Sequence, residues 1–396
     1  MPLNALQQAN EMAAIAAALC SRSPITFPSS RSTIQRLAPA AMAILLWTAN
    51  STVLSASGWP QWEAYKTRFI QADGRVVEHS QKARTTSESQ AYSLFHSLVA
   101  NDRKTFDKVL QWSIDNLAGG NLEQHLPAWL WGKNKNGKWK ILDSNSASDA
   151  DLWLAFTLLE AGRHWHSPRY SQLGKAVLQR IEAMETAYLP GLGPMVLPAP
   201  SGFDLGKDKW KLNLSYLPLQ LIHRFIKEGN PILWRGVLQS TVSLLEQSAS
   251  NGIVPDWIIY EQGQKIRSDN KQSPTDRIGY DAIRVYLWAG MLADDDPLKK
   301  TITRTLSTDC TRSIVKTANP AGFNTALAPL LKATRQYDCL NQLRKTVNHA
   351  WKDNLLGSPA LYYNQNLSLF ALGWLERRFT FTRDGNLILQ NHHEFD

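Results

Sequence analysis

The chain has 396 residues, 43% of them hydrophobic and 19% charged, with a formal net charge of +9. That balance excludes a disordered chain, a collagen-like fibre and a disulfide-stapled miniprotein, and the length suffices to bury a sizeable core. Lys and Arg are scattered, with no run of five or more, so the charge is weak evidence for any acidic partner and gives no footprint for nucleic acid.

In chain order, the first marked feature is the apolar stretch Leu37–Trp47. It is shorter than the roughly 20 residues a membrane span needs. Arg31 and Arg36 precede it, and Ser51, Ser55, Ala56 and Ser57 follow. Positive, apolar, small is the order of a secretory signal. The thirty residues in front make a long n-region, which a misplaced start codon or an uncleaved anchor would explain. An N-terminal core helix is the alternative, and Pro39 and the lack of a polar face argue against it. The expectation is an N-terminal extension with a signal peptide over 1–56 and one domain over 57–396. The mature chain would then be periplasmic or secreted and carry no membrane span. Of three cysteines, Cys20 falls in the extension; Cys310 and Cys339 either pair after export or stay separate thiols.

From Trp59 to about Trp374 the segments read as helices. Ala91, Tyr92, Phe95, Leu98 and Val99 recur at spacings of three and four, as do Leu152, Ala155, Phe156 and Leu159. Further helical stretches begin near Arg169, Ser215, Ile232, Asp281, Leu298, Gly322, Cys339 and Leu361. Ten to twelve helices without βαβ alternation predict an all-α protein. At the end, Phe379 and Phe381 alternate, then Asp384–Gly385, then Leu387 and Leu389, which predicts a β-hairpin.

Three acids stand at predicted helix starts. Glu88 shares a face with Ala91, Tyr92 and Phe95; it also has capping-box spacing from Thr85. Asp149 shares a face with Leu152, Trp153 and Phe156, and Asp151 lies about 200° away on the ideal helix. Asp281 is three residues before Arg284, the spacing of a local ion pair. Each has a bland explanation as a cap, a dipole partner or an ion pair. Together, three acids followed by apolar faces would converge in a helical barrel, and two carboxyls across a cleft are the minimum for glycoside hydrolysis.

Ala147-Ser148-Asp149-Ala150-Asp151, then Ala155, Ala161 and Trp165, resembles the signature of glycoside hydrolase family 8. So do Trp59-Pro60-Gln61-Trp62, Leu126 to Gly132, Leu142 to Ser146, Pro255-Asp256-Trp257 and Tyr280 to Tyr286, over about residues 59–390. Within the family the likeness is to the periplasmic endoglucanases of bacterial cellulose-synthase operons. The resemblance implies a six-hairpin α/α barrel and endo-hydrolysis of β-1,4-glucan with inversion. It matches Glu88 to the general acid and Asp281 to the general base. It matches Asp149 to the acid that grips the sugar, Tyr216 to a tyrosine near the centre, and Arg284 to an arginine beside the base. Two departures are Ser89, where the family often has Gly, and Leu214, where it often has Pro.

Fifteen Trp residues suit either a large aromatic core or a cleft that stacks pyranose rings. Trp129, Trp131, Trp153 and Trp257 are the stacking candidates, and Trp210, in a charged segment, is hard to explain by packing. Asp256 is a further candidate for substrate contact. No cofactor is required, and no metal-ligand spacing occurs. The His392-His393-Glu394 run reads as a solvated tail. The expected partners are a β-1,4-glucan and the cellulose synthase or export complex. The alternatives are a weakly active or inactive glucan-binding component of the cellulose secretion apparatus, or the same chemistry on chitosan, xylan or mixed-linkage glucan.

Overall fold

The computed structural model describes residues 58–264, 266–269, 277–307 and 321–390. The expectations for residues 1–56, for Cys310 and for His392-His393-Glu394 fall outside those residues. Cys339 is disulfide-bonded.

The helices sort into two kinds by how they are buried. In α1 (Pro60–Phe69), α3 (Arg103–Leu117), α5 (Pro168–Met184), α7 (Pro231–Ser248) and α12 (Tyr337–Asn348), only one stripe is buried. In α3 that stripe is Phe106, Val109, Leu110, Ser113, Ile114 and Leu117, with Trp112 covered beside it, the spacing of a helix with one face in water. In contrast, α2 (Ser87–Val99) is buried at every residue except Glu88, and α8 (Ile283–Gly290) at every residue. The same holds for most of α4 (Ser148–His164) and α13 (Tyr362–Leu375), and for all of the short α10 (Ala321–Thr325). A helix enclosed all round must have neighbours on all sides, so these form an inner ring and the one-striped helices an outer ring.

Successive helices pair as α2/α3, α4/α5 and α6 (Leu219–Glu228)/α7. Then α8 packs on α9 (Lys299–Thr305) and α11 (Ala328–Ala333), while α10 packs on α12 and α13. Within the inner ring α2 meets α4, α4 meets α6 and α6 meets α8, while α13 returns to α2. This is the expected all-α, six-hairpin α/α barrel.

Aromatic rings fill its axis: Trp153 lies 4.8 Å from Phe370 and 5.1 Å from Trp288, and Phe95 is stacked 5.1 Å from Phe370. Trp153 is only 1% exposed. The expectation that it stacks on a sugar is therefore corrected: its ring points along the enclosed axis, not into the cleft.

The C-terminal hairpin is present as β11 (Phe379–Phe381) and β12 (Leu387–Leu389), with Phe379 opposite Leu389. Gly385 turns it at a φ of 78°, and a Cβ there would collide with the Gln220 carbonyl. Phe379 meets Phe95 edge-on at 5.1 Å and Phe381 lies 5.9 Å from Phe156, so the hairpin caps the end of the barrel away from Glu88. The fully buried Glu160 accepts the Leu387 N–H at 2.9 Å and pairs with Arg224 at 2.7 Å.

Short strands elsewhere were not expected. A three-stranded antiparallel sheet joins β1 (Thr85–Thr86), β2 (Leu130–Lys133) and β3 (Trp139–Asp143). A hairpin joins β4 (Thr186–Leu189) and β5 (Gly193–Val196). A second three-stranded sheet joins β6 (Lys209–Leu212), β7 (Ile258–Glu261) and β8 (Arg267–Ser268). A two-residue pair joins β9 (Trp351–Lys352) and β10 (Leu355–Leu356). Trp210 belongs to β6, where it is 7% exposed beside Tyr260, so alternation in Lys209-Trp210-Lys211-Leu212 explains it by packing. Two sheets continue directly into segments of the site: β1 into α2, which carries Glu88, and β6, one residue on, into the 3₁₀ turn Leu214–Tyr216, which carries Tyr216.

Candidate active site

Glu88, Asp149 and Asp281 do converge, and Arg284 is what they converge on. Its Nη1 donates to Glu88 Oε2 at 2.8 Å, to Asp149 Oδ2 at 2.7 Å and to Tyr92 OH at 3.0 Å. Its Nη2 faces Asp281 Oδ1 at 3.4 Å. The guanidinium carbon lies 5.3 Å from the Tyr216 ring centre and 5.9 Å from that of Tyr363. One nearly buried cation thus ties together groups from the starts of α2, α4 and α8, with the first turn of α13 alongside.

Each acid reaches this point by local chemistry. The capping box of α2 runs between Thr86 and Ser89, not between Thr85 and Glu88 as the spacing suggested. Ser89 N–H donates to Thr86 Oγ1 at 3.1 Å, and Thr86 N–H donates back to Ser89 Oγ at 3.2 Å. Ser89, where a glycine was the commoner residue, therefore caps the helix and leaves the neighbouring Glu88 free to face Arg284. Asp149 lies in the first turn of α4, and Oδ1 accepts the Ala150 N–H at 2.8 Å. Asp281 lies just before α8 instead of inside it, on the turn from Gly279.

The three carboxyls differ in access. The side chain of Asp149 is 5% exposed, that of Glu88 19% and that of Asp281 35%. Water and ligand reach Asp281 most readily, and Asp149 lies at the floor. Burial pushes the Glu88 carboxyl up to about 8. Arg284 pulls it down, and the neighbouring Asp149 and Asp281 charges push it up again. Burial also raises Asp281 above its ordinary value, against the pull of Arg284 and of donors on Trp257 and Asn213.

Among the aromatic candidates, Trp257 is half-buried beside Asp281 and meets Tyr216 at 5.9 Å in an edge-on contact. Phe203 stacks on it at 5.7 Å, and Lys211 Nζ lies 4.7 Å from its ring centre. Trp129 is half-buried, and its carbonyl accepts the Ser87 N–H at 3.1 Å, which sets its main chain beside the start of α2. Trp131 is half-buried and stacked on Trp139 at 4.8 Å. Leu214 is buried at the start of the turn that presents Tyr216.

Two groups escaped the sequence reading. Tyr362 OH donates to Glu88 Oε1 at 3.3 Å, and Tyr363 OH donates to the Tyr280 carbonyl at 2.8 Å. The available signal was a pair of tyrosines opening an apolar helix. Asp151, assigned to the face opposite Asp149, does point the other way, but that side is not solvent. It is fully buried and faces Glu185, whose Oε1 accepts from Ser146 Oγ at 2.5 Å. Burial pushes Glu185 up to about 8. Among the described residues no cluster of His, Cys, Asp and Glu has the arrangement of a metal site, and no helix is long and apolar enough to cross a membrane.

Residues 34–377 match the family model described as glycosyl hydrolases family 8. The chain is 41% identical over 367 residues to an endoglucanase of Xanthomonas axonopodis pv. citri (strain 306), covering 88% of this chain and 94% of that one. It is 40% identical over 362 residues to an endoglucanase of Escherichia coli (strain K12), covering 87% and 94%. The fold is similar to the crystal structure of an endo-1,4-D-glucanase from Vibrio fischeri ES114, with a TM-score of 0.75, 39% identity, and coverage of 84% of this chain and 99% of that one.

Proposed function

The chain belongs to glycosyl hydrolases family 8, and from that premise we propose that it cuts cellulose-type β-1,4-glucan internally with inversion, using Glu88 as acid and Asp281 as base. It is a glycoside hydrolase, an endo-1,4-β-glucanase. The observation that carries the finer reading is the single guanidinium of Arg284 shared by three carboxyls of unequal access.

Glu88, pushed up to about 8, holds its proton at neutral pH and gives it to the leaving glucosyl oxygen. Tyr362 and Arg284 hold that carboxyl in place. Asp281, more open and anchored by Arg284 and Trp257, takes a proton from water attacking the anomeric carbon from the opposite face. One guanidinium reaching both groups limits their separation to about 8–9 Å, compatible with the roughly 6.5–9.5 Å that leaves room for such a water. Asp149, at the floor, accepts a sugar hydroxyl. Tyr216, Trp257 and Trp129 offer ring faces or edges to pyranose rings.

The biological setting proposed is bacterial cellulose production, beside the synthase or export complex, after export from the cytoplasm. The positive–apolar–small order of Arg31 to Ser57 supports export, and so does the disulfide at Cys339.

The test is reducing-end release from carboxymethyl-cellulose, with chitosan and xylan alongside, for wild type, Glu88→Gln and Asp281→Asn. The expected result is release from the cellulose derivative, first products of α configuration by NMR, and a loss of roughly 10²–10⁴-fold in each variant. First products of β configuration would overturn inversion. Near-wild-type turnover in a variant would overturn that residue's role, and release from chitosan or xylan alone would overturn the polymer.

A further inference from the structure

The first turn of α8 lacks a cap of its own: Ala282 occupies the cap position and has no side-chain acceptor. The acceptor comes from 26 residues upstream. Asp256 Oδ1 takes the Ala282 N–H at 2.7 Å and the Asp281 N–H at 3.0 Å. The Asp256 side chain is nearly buried, at 7% exposure, beneath the turn. Gly279 completes the seat, because a Cβ on that residue would overlap both carboxylate oxygens. The next residue, Trp257, donates to the Asp281 side chain. Consecutive residues of one Pro255-Asp256-Trp257 turn thus hold Asp281 by its backbone and by its carboxyl.

We propose that Asp256 is a positioning residue that sets the Asp281 carboxylate for the attacking water, by fixing the main chain from Gly279 to Ala282. The proposal rests on the reading of Asp281 as general base. In that role Asp256 acts through Asp281 and not through a contact of its own with the polymer. Its two accepted hydrogen bonds are charge-assisted, and losing them leaves two N–H groups at a helix start without an acceptor. The turn then relaxes, and a displacement of about 1 Å in a reacting group costs on the order of 10²-fold in rate.

The experiment compares Asp256→Ala, Asp256→Asn, Gly279→Ala and Asp281→Asn on a soluble cello-oligosaccharide, with and without sodium azide. Azide attacks the anomeric carbon directly and needs no proton removed; the N–C bond forms, the glycosidic C–O bond breaks, and the Glu88 proton goes to the leaving oxygen. Asp256→Ala should lower kcat about 30–300-fold with KM within about threefold, the signature of an interaction made in the transition state. Azide should restore a measurable part of that rate, as it should for Asp281→Asn. Asp256→Asn keeps an oxygen that accepts the same two N–H groups, and should stay within about tenfold of wild type. Gly279→Ala should be slow alone and add nothing to Asp256→Ala, because the overlap disappears with the carboxylate.

An inactive Asp281→Asn beside a fully active Asp256→Ala would overturn this proposal alone, as would a loss in Asp256→Ala that azide leaves untouched. An active Asp281→Asn would overturn the base assignment and the proposal with it. If Asp256→Ala does not fold, Gly279→Ala and Asp256→Asn read the same contact: wild-type kcat in Gly279→Ala overturns it.

Discussion

Replacing Arg284 with Met removes the cation that three buried or half-buried carboxyls share while keeping much of the side-chain volume. The structure sets both the size and the sign of the effect. Arg284 is 2% exposed and lies 2.7 Å from Asp149, so that ion pair is screened little by solvent. Breaking a buried pair from one side costs about 3–5 kcal/mol, because the partner charges stay behind uncompensated. Adding Asp149→Asn removes one of those stranded charges. The double variant should therefore recover about 1–3 kcal/mol relative to the sum of the single ones. The pH dependence moves in a defined direction. Arg284 is the chief influence lowering both Glu88 and Asp281, so without it both keep their protons to higher pH. With Glu88 as the proposed acid and Asp281 as the proposed base, the acid limb of the rate profile, where Asp281 ionises, and the alkaline limb, where Glu88 loses its proton, both shift upward. Urea unfolding at constant pH and initial rates from pH 4 to 10 measure the two effects. A stability loss under about 1 kcal/mol, or a profile that does not move, would refute the shared-cation reasoning.

Three further outcomes follow from other parts of the molecule. Glu185 is raised from an ordinary 4.5 to about 8, so its protonated form belongs to the folded state and its contribution is present in full below about 4.5 and lost as pH rises through 8. Unfolding free energy should fall by roughly 2–4 kcal/mol between pH 5 and pH 8.5, and Glu185→Gln should flatten that slope; an unchanged slope would clear Glu185 of the effect. Ser89→Gly removes the hydroxyl that accepts the Thr86 N–H, keeps the backbone N–H that Thr86 Oγ1 accepts, and should cost about 1–2 kcal/mol in urea unfolding, with kcat within twofold; a large kcat change at unaltered stability would contradict a capping role. Trp153→Ala should lose about 3–5 kcal/mol of stability and leave KM for cello-oligosaccharides unchanged, whereas a weakened KM in a fully stable variant would return Trp153 to the cleft.

Much of the site was legible because its residues obey simple local rules. Glu88, Asp149 and Asp281 each stand at the head of an apolar stretch, and helices that begin at one end of a ring bring their heads together. The Asp384–Gly385 turn was legible because the alternation on both sides of it is undisturbed. What failed was any inference about the far face of a helix. Helical spacing tells which residues share a side, so Asp151 was correctly set opposite Asp149. It does not tell what that side meets, and in an inner ring it meets another helix. Trp153 failed for the same reason: it shares a face with Asp149, but about one turn further along that face the helix has passed from the acids into the enclosed axis. The strands were hidden because they are two to five residues long and interrupted by charged residues that pair along the rim, as Lys209 does with Glu261 at 3.2 Å. The capping box slipped by one residue because Thr85 and Thr86 are chemically equivalent candidates, and only β1 decides which of them ends the strand. The role of Asp256 was invisible in spacing, since its two N–H partners lie 25 and 26 residues away.

The bond between Arg284 and Glu88 closes 196 residues of chain, and the one between Tyr362 and Glu88 closes 274. Contacts of such span form late, since chain entropy must be surrendered before they are gained. An amino-terminal half that had already built α2 to α5 would hold Glu88 and Asp149 but neither Asp281 nor the Arg284 cation that organises them. The barrel therefore acts as its own safety catch. On the proposed roles, a chain still emerging or clipped by a protease before α8 has no working site, and hydrolysis switches on only when the last hairpins shut the ring.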